Sequence, residues 1–292
     1  MEALKDLAEI IKREEPLAPY TYFKLGGPAE MLIQPRSVEE LAAVVTKCSQ
    51  LSVPMRVLGG GCGVLVRDEG VRGAVLRLHE PVFTSITVEG RRVRAGAGAA
   101  LSALISQGAR FGLAGLEGLV GIPGTVGGAI RCNTGDRSGD IGQYVRSVQV
   151  LDRHGKVLTR EEDEIHFVPG GSNLDDAVIL SAEFELEADR LEAIDKRIRR
   201  AWIQRKAAQP PTFQAAGRIF KNPRGFIAAA LIEGAGLAKT RVGGAEVNER
   251  DANFIVAHPG TSTRDVLRLI DLVRSRVRER YNVDLELEIV IW

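Results

Sequence analysis

The residues with the plainest chemical implication are glycines. Gly121-Ile122-Pro123-Gly124-Thr125-Val126-Gly127-Gly128-Ala129 packs four glycines and a proline into nine residues and runs straight into Ile130-Arg131-Cys132-Asn133. Such a stretch makes a poor helix and a poor strand. Lacking Cβ atoms, its main chain can approach another body closely, and successive N–H groups in a loop of this kind cradle phosphate. A tight structural corner would use the same composition. A second loop, Gly59-Gly60-Gly61-Cys62-Gly63, follows the apolar run Met55-Arg56-Val57-Leu58. Two glycine-dense loops, each flanked by strand-like segments, point to a ligand with a pyrophosphate and a long body.

The elements that must hold these loops are legible in outline. Residues 1–15 read as a short helix ending before Pro16, and residues 17–34 as a turn between strands around Gly26-Gly27-Pro28. Residues 38–51 form a helix with Leu41, Val44, Val45 and Cys48 on one face, Ser37 as N-cap and Glu40 completing a capping box. Strand, helix, strand and glycine loop then follow one another as in a βαβ unit. Strands are expected at 74–78, 85–88 and 92–95, with a hairpin turn at Val88-Glu89-Gly90-Arg91. A helix over 101–111 leads to the central loop. Strands at 145–152 and 156–159 flank a second hairpin at Arg153-His154-Gly155, and 177–187 alternates as a strand. A basic helix, 191–208, is stopped by Gln209-Pro210-Pro211; its charges form a solvated face or attract a nucleotide phosphate. A short helix spans 227–233. A clean amphipathic helix spans 265–281, with Val266, Leu269, Ile270, Val273 and Val277 inward and Ser262 and Asp265 at its start. Residues 283–292 read as an alternating strand.

Composition narrows the function. The chain has 292 residues, 45% of them hydrophobic, so it can build two or three domains. Thirty-nine basic residues against 38 acidic ones give a formal charge of +1, and aromatics are only 5%. That balance argues against nucleic-acid or membrane-surface partners. No apolar run reaches the ~18 residues of a transmembrane helix, and the charged N-terminus is unlike a signal peptide. Cys48, Cys62 and Cys132 have neither metal-ligand nor disulfide spacing, and His79, His154, His166 and His258 form no cluster, so no metal is expected. A reducing, cytoplasmic setting and a monomer follow as expectations.

Several motifs in fixed order carry a resemblance. They are Phe23-Lys24-Leu25-Gly26-Gly27-Pro28-Ala29, the loop at Gly59, Asp68-Glu69-Gly70-Val71-Arg72-Gly73, and the central loop with Arg131 and Asn133. Gly217, Phe220-Lys221-Asn222-Pro223, Ala252-Asn253-Phe254-Ile255-Val256 and Leu285-Glu286-Leu287-Glu288 complete the set. Each is weak alone; together, over about 21–288, the chain resembles the UDP-N-acetylenolpyruvoylglucosamine reductases of peptidoglycan precursor synthesis. The resemblance implies an α+β fold with a two-part FAD-binding domain of the vanillyl-alcohol-oxidase (PCMH) type over 21–188, split near 73, after a lead-in at 1–20. It implies a smaller C-terminal α+β substrate domain over 189–292. It implies that NADPH gives hydride to FAD, and that the reduced cofactor delivers hydride to the enolpyruvyl group of a UDP-sugar, which also gains a proton. Gly59, Gly60, Gly61, Cys62, Gly63, Gly121, Gly124, Thr125, Gly127 and Gly128 would bind the cofactor, Lys221 and Asn222 the substrate, and Glu288 would be catalytic. Read without the resemblance, Glu288 fits a solvent-facing strand residue like Glu286, Lys221 and Asn222 fit a helix-entry turn, and Arg131 and Asn133 fit polar contacts either to a flavin or to the loop's own carbonyls.

The departures are as informative as the matches. Where the family carries a proton-donating serine in Gly-Ser-x-Phe-Lys-Asn-Pro, this chain has Arg218. An arginine stays protonated at working pH and is a very poor acid, but it stabilises an anion well. Where the family has Phe-x-Tyr-Arg-x-Ser, this chain has Phe167-Val168-Pro169-Gly170-Gly171-Ser172, in which Pro169 and Gly170 make a turn instead of a carboxylate clamp. Arg218 is therefore the candidate for the substrate carboxylate, with water or Glu288 left to supply the proton. Cys62-Gly63 replaces the usual Ser-Asn, and Asp251 a usual histidine. A flavin oxidoreductase with another substrate, or a flavin-binding homologue with impaired catalysis, would show the same pattern.

Overall fold

The computed structural model describes residues 7–136, 139–208 and 218–292. The chain forms two compact units, neither continuous in sequence. The first gathers residues 1–13, 31–60 and 72–204, and the second residues 14–30, 61–71 and 205–292. The loop Gly59 to Gly63 changes unit between Gly60 and Gly61, so its residues are divided between the two.

In the first unit a five-stranded sheet runs in the order Val157–Glu161, Val145–Leu151, Val178–Glu185, Arg92–Gly96 and Ile86–Glu89. Every neighbouring pair is antiparallel. Glu89 sits opposite Arg92, so Gly90-Arg91 is the two-residue turn expected of that hairpin. Val148, Val150, Ala182 and Phe184 pack in one core with Leu101, Leu104 and Ile105 of the helix Leu101–Arg110. A second core forms around the helix Val38–Gln50, where Leu41, Val44, Val45 and Cys48 are buried against Ile33, Ala74 and Leu76. Its smaller sheet has the order Ile11–Pro16, Pro28–Ile33, Val71–Leu76, Met55–Val57, with the last two strands parallel. Val71–Leu76 thus lies between the two strands that flank the helix. Ser37 caps that helix by accepting the Glu40 N–H, but the reciprocal half of the box is absent, because the Glu40 carboxylate accepts the N–H and guanidinium of Arg36.

The second unit has its own core. The helix Thr263–Tyr281 buries Val266, Leu269, Ile270, Val273 and Val277, the face its periodicity predicts. It carries a full capping box between Ser262 and Asp265. The helix Ala228–Gly234 and a three-stranded antiparallel sheet, Arg241–Val242, Ala245–Val247 and Ile255–Ala257, pack with it.

Three expectations are corrected. The N-terminal segment is not one helix: residues 7–10 form a 3-10 turn and Ile11–Pro16 a strand. Ile10 is buried in the core around Val38–Gln50, its carbonyl accepts the Gln34 N–H, and Glu14 takes φ 48°. Pairing thus overrides a pattern that locally suits a helix. The C-terminal stretch is not one continuous strand. Leu285 and Ile289 alternate inward with Glu286 and Glu288 outward, but regular pairing is confined to Val290–Ile291, parallel to Val64–Leu65. Upstream, Phe220 and Leu287 form a separate bridge. Finally, the central loop is helical at its end, as Val126–Arg131 forms a helix capped by the Thr125 hydroxyl, which accepts the Gly128 N–H at 3.4 Å.

Candidate active site

The glycine loops of the first unit meet. A Cβ built on Gly59 would lie 2.5 Å from Thr125 Oγ1, so the two loops touch where a side chain at 59 would separate them. The segment Gly121 to Thr125 bends through φ 77° at Gly121 and 130° at Gly124. Its exit is fixed by main-chain bonds alone: Leu101 N–H donates to Gly124 O at 3.0 Å, Val126 N–H to Ala99 O at 2.9 Å, and Gly127 N–H to Ala97 O at 2.8 Å. Gly127 therefore supplies packing more than a free donor, since a Cβ there would come within 2.8 Å of the Ala97 methyl. At Gly128 an added Cβ would meet only Thr125 Oγ1, at an ordinary 3.5 Å. The first N–H groups of the short helix are thus occupied, and so is that of Ile122, which donates to Leu119 O at 3.1 Å. The close approach of Gly59 to the Thr125 hydroxyl, with no Cβ between them, is of the kind that suits the pyrophosphate of a dinucleotide.

Gly61, Cys62 and Gly63 belong to the second unit. Gly61 takes φ 69°, and a Cβ on it would lie 2.3 Å from Tyr20 O. Its carbonyl accepts the Tyr22 N–H. Gly63 has open space at its Cβ position, and its carbonyl accepts the Val290 N–H. Burial pushes the Cys62 thiol up to about 12, so it is a neutral thiol and no thiolate nucleophile. Burial, and after it the neighbouring Cys62, also raises the Tyr22 phenol.

The substrate-side residues of the second unit are set by one short antiparallel pairing. Glu288 N–H donates to Ile219 O at 2.8 Å and Lys221 N–H to Glu286 O at 2.9 Å, around the bridge Phe220–Leu287. Ile219 and Phe220 are buried, which leaves Arg218, Lys221, Glu286 and Glu288 exposed on the same structure. Arg218 has no ion-pair partner among the described residues, whereas Lys221 Nζ lies 3.7 Å from Glu286 Oε2. Asn222 is engaged within the fold, where its Oδ1 accepts the Ala228 N–H at 3.0 Å and closes the turn into the helix Ala228–Gly234. The pairing thus brings Arg218 and Glu288 onto neighbouring segments and turns Lys221 toward Glu286. Gly217 lies outside the described residues.

Sequence reasoning missed the residues that hold this arrangement. Asn253 is buried and clasps Phe220 from both sides, with its Oδ1 accepting the Phe220 N–H at 2.9 Å and its Nδ2 donating to Phe220 O at 2.8 Å. Asp68 accepts the N–H groups of Thr263 and Arg264 at 3.0 and 3.3 Å, a second cap on the long helix. In the first unit Asn133 takes φ 45°, donates to Val168 O and accepts the Gly142 N–H. Those bonds go to Val168 and Gly142 and not to the carbonyls of the central loop. The Pro169-Gly170 turn forms as expected, joining strands Phe167–Val168 and Gly171–Ser172, and the Ser172 hydroxyl donates to Arg131 O. Asparagines adjoining glycine or aromatic residues in motifs are the signal that could have marked Asn133 and Asn253.

Comparison with known proteins decides what this arrangement belongs to. Residues 29–161 match the FAD binding domain model, and residues 209–292 match the model of the UDP-N-acetylenolpyruvoylglucosamine reductase C-terminal domain. The UDP-N-acetylenolpyruvoylglucosamine reductase of Moorella thermoacetica is 42% identical over 95% of this chain and 92% of its own length. The chain belongs to the UDP-N-acetylenolpyruvoylglucosamine reductase family. A second family member, reductase 2 of Symbiobacterium thermophilum, is 41% identical over 97% of this chain and 92% of its own length. The crystal structure of the family's enzyme from Thermus caldophilus superposes with a TM-score of 0.85 at 35% identity, covering 97% and 98% of the two chains. The glucose dehydrogenase Phl p 4.0202, at 17% identity and TM-score 0.52 over 65% of this chain and 45% of its own, shares the fold alone. The family's α+β architecture with an FAD-binding domain is therefore that of this chain, which is a flavoprotein oxidoreductase by family.

Proposed function

We propose that this chain reduces UDP-N-acetylglucosamine enolpyruvate to UDP-N-acetylmuramate with NADPH, as a cytoplasmic monomer supplying peptidoglycan precursor. The likeness to family members along nearly the whole chain supports the reading, but one observation carries it. The segment Arg218 to Asn222 and the segment bearing Glu288 are locked together by main-chain bonds, leaving a cation and a carboxylate exposed on adjacent backbones. In this reading FAD binding is the work of residues 21–188 and substrate binding that of 189–292, a division by sequence that differs from the two compact units. No helix among the described residues is long and apolar enough to cross a membrane.

FAD, when bound, supplies the two-electron relay between nicotinamide and substrate. The chain's own residues divide the remaining work. Gly59 with Gly121, Gly124 and Thr125 of the first unit would hold the pyrophosphate by main-chain donors. Arg218 holds the substrate carboxylate and the negative charge that develops beside it, which needs a fixed cation and not an acid. Lys221 and Asn222 flank the same site. Glu288, or a water it orients, delivers the proton.

The test is an anaerobic stopped-flow trace of flavin absorbance near about 450 nm, since gain and loss of hydride at the cofactor report each half-reaction separately. NADPH should bleach the flavin and enolpyruvyl-UDP-N-acetylglucosamine should restore it. In Arg218→Ala the bleaching rate should persist while the return slows by roughly 10- to 100-fold, the scale of one charge-assisted contact. A flavin that bleaches and is never restored by this substrate points to an oxidoreductase with another acceptor. An Arg218→Ala protein with undiminished return removes Arg218 from the site.

A further inference from the structure

Building on that reading, we propose that Arg197 is a positioning residue for the cofactor loop, acting through the buried carboxylate of Glu117. The loop Gly121 to Thr125 is pinned at its exit by three main-chain bonds that no side-chain change removes. Its entrance is held differently. Glu117 opens the 3-10 turn Glu117–Leu119, whose Leu119 O accepts the Ile122 N–H and so leads directly into the loop. The Glu117 side chain is only 9% exposed. One of its oxygens accepts the Gly115 N–H at 2.6 Å, and the other accepts Arg197 Nε at 2.9 Å, with Arg197 Nη2 at 2.8 Å.

Arg197 is in turn oriented from outside the loop. Its Nη2 donates to Asp189 Oδ2 at 2.7 Å, and Asp189 is fixed by its own N–H to Gly112 O. The Arg197 guanidinium, by hydrogen bond and charge, holds the Asp189 carboxyl below the usual range. Gly115 completes the frame: at φ 134° it lies against the Tyr144 ring, which a Cβ would approach to 2.5 Å. The fork geometry of arginine is what the arrangement uses, because one planar group must bond two carboxylates at fixed angles. Remove it, and a buried carboxylate loses its cation four residues before Gly121. The carboxylate is then buried without its partner, and the entrance of the loop moves. The basic helix Leu191–Ala208 thus acts on the cofactor through this one arginine.

The experiment measures FAD dissociation from the full-length protein by flavin fluorescence, with amide hydrogen exchange over 113–125 and the melting temperature of the flavin-free protein. Arg197→Ala should bind FAD roughly tenfold more weakly, the equivalent of one lost bond to a charged group, and should expose the Gly115 and Ile122 amides to exchange. Arg197→Lys keeps the charge but not the fork. It should fold as wild type and recover only part of the affinity, and it decides the matter if Arg197→Ala does not fold. Either variant with a lowered melting temperature but wild-type FAD affinity makes the pair a fold contact only and overturns the proposal. A wild-type protein that takes up no FAD would overturn the cofactor reading itself, a distinct outcome.

Discussion

The glycine-bearing region of the first unit and the charge-bearing region of the second are built on opposite principles. In the first unit the loop is held by backbone: Ala97 O, Ala99 O and Gly124 O make its exit bonds, and glycine at 59 and 127 matters only because no Cβ fits. In the second unit the isolated bridge Phe220–Leu287 is also made by main-chain bonds, but what it presents is a row of exposed side chains. A backbone cradle tolerates replacement of most neighbours, provided the glycines and the hold of Arg197 and Glu117 on its entrance stay. A side-chain site changes its chemistry with a single residue. That difference is how this chain can carry glycine loops of the kind the resemblance implies together with Arg218 in place of a serine; the other departure, Pro169-Gly170, lies in the first unit.

The contrast between the halves is broken most severely through Asn253. Its replacement by alanine leaves the buried N–H and C=O of Phe220 without partners, and about 1–3 kcal/mol is lost for each. Urea unfolding should show the loss, and the substrate half-reaction should fail while flavin per chain is unchanged. Flavin lost in the same proportion would mean the two halves are not separable. Gly127→Ala is the converse and somewhat smaller: overpacking against Ala97 should cost roughly 1–3 kcal/mol, and the effect should show first as lost flavin. Retained flavin with unchanged unfolding would show that the loop relaxes around a methyl.

The smallest effect is acidity. Burial pushes the Glu246 carboxyl up, but bonds from His258 and Arg241 outweigh it and hold it below its usual value. A depressed carboxyl stabilises the fold above the unfolded value of about 4.3 and loses that contribution as pH falls through the folded one. Urea midpoints of wild type should therefore decline below about pH 4 more steeply than those of Glu246→Gln. Parallel declines would assign the acid sensitivity to other carboxylates, such as Asp265 at the cap, which the Ser262 backbone and hydroxyl hold low.

Much of this was readable from residue types. The inward face of Thr263–Tyr281, its capping box, the face of Val38–Gln50 and the Gly90-Arg91 turn follow from local periodicity and cap chemistry, because helices and tight turns are specified by residues a few positions apart. The candidate site was read as motifs: the glycine loops, Arg218 and Glu288. What the motifs could not reveal is which polar groups are already occupied. Gly127's N–H belongs to Ala97, Asn222's oxygen to Ala228, and Lys221 faces Glu286. None of those partners is a near neighbour in sequence except Asn222's.

By itself, then, the sequence determined the helices, the turns, the positions where a side chain is forbidden, and the charges available to a substrate. Tertiary structure decided the rest. It made Ile11–Pro16 a strand, because a partner strand outweighed a local helical pattern. It divided Gly59 to Gly63 between two units, and it joined Glu117 to an arginine from a distant helix. Those outcomes depend on which buried donors and acceptors find one another across long separations, and a local pattern carries no term for that.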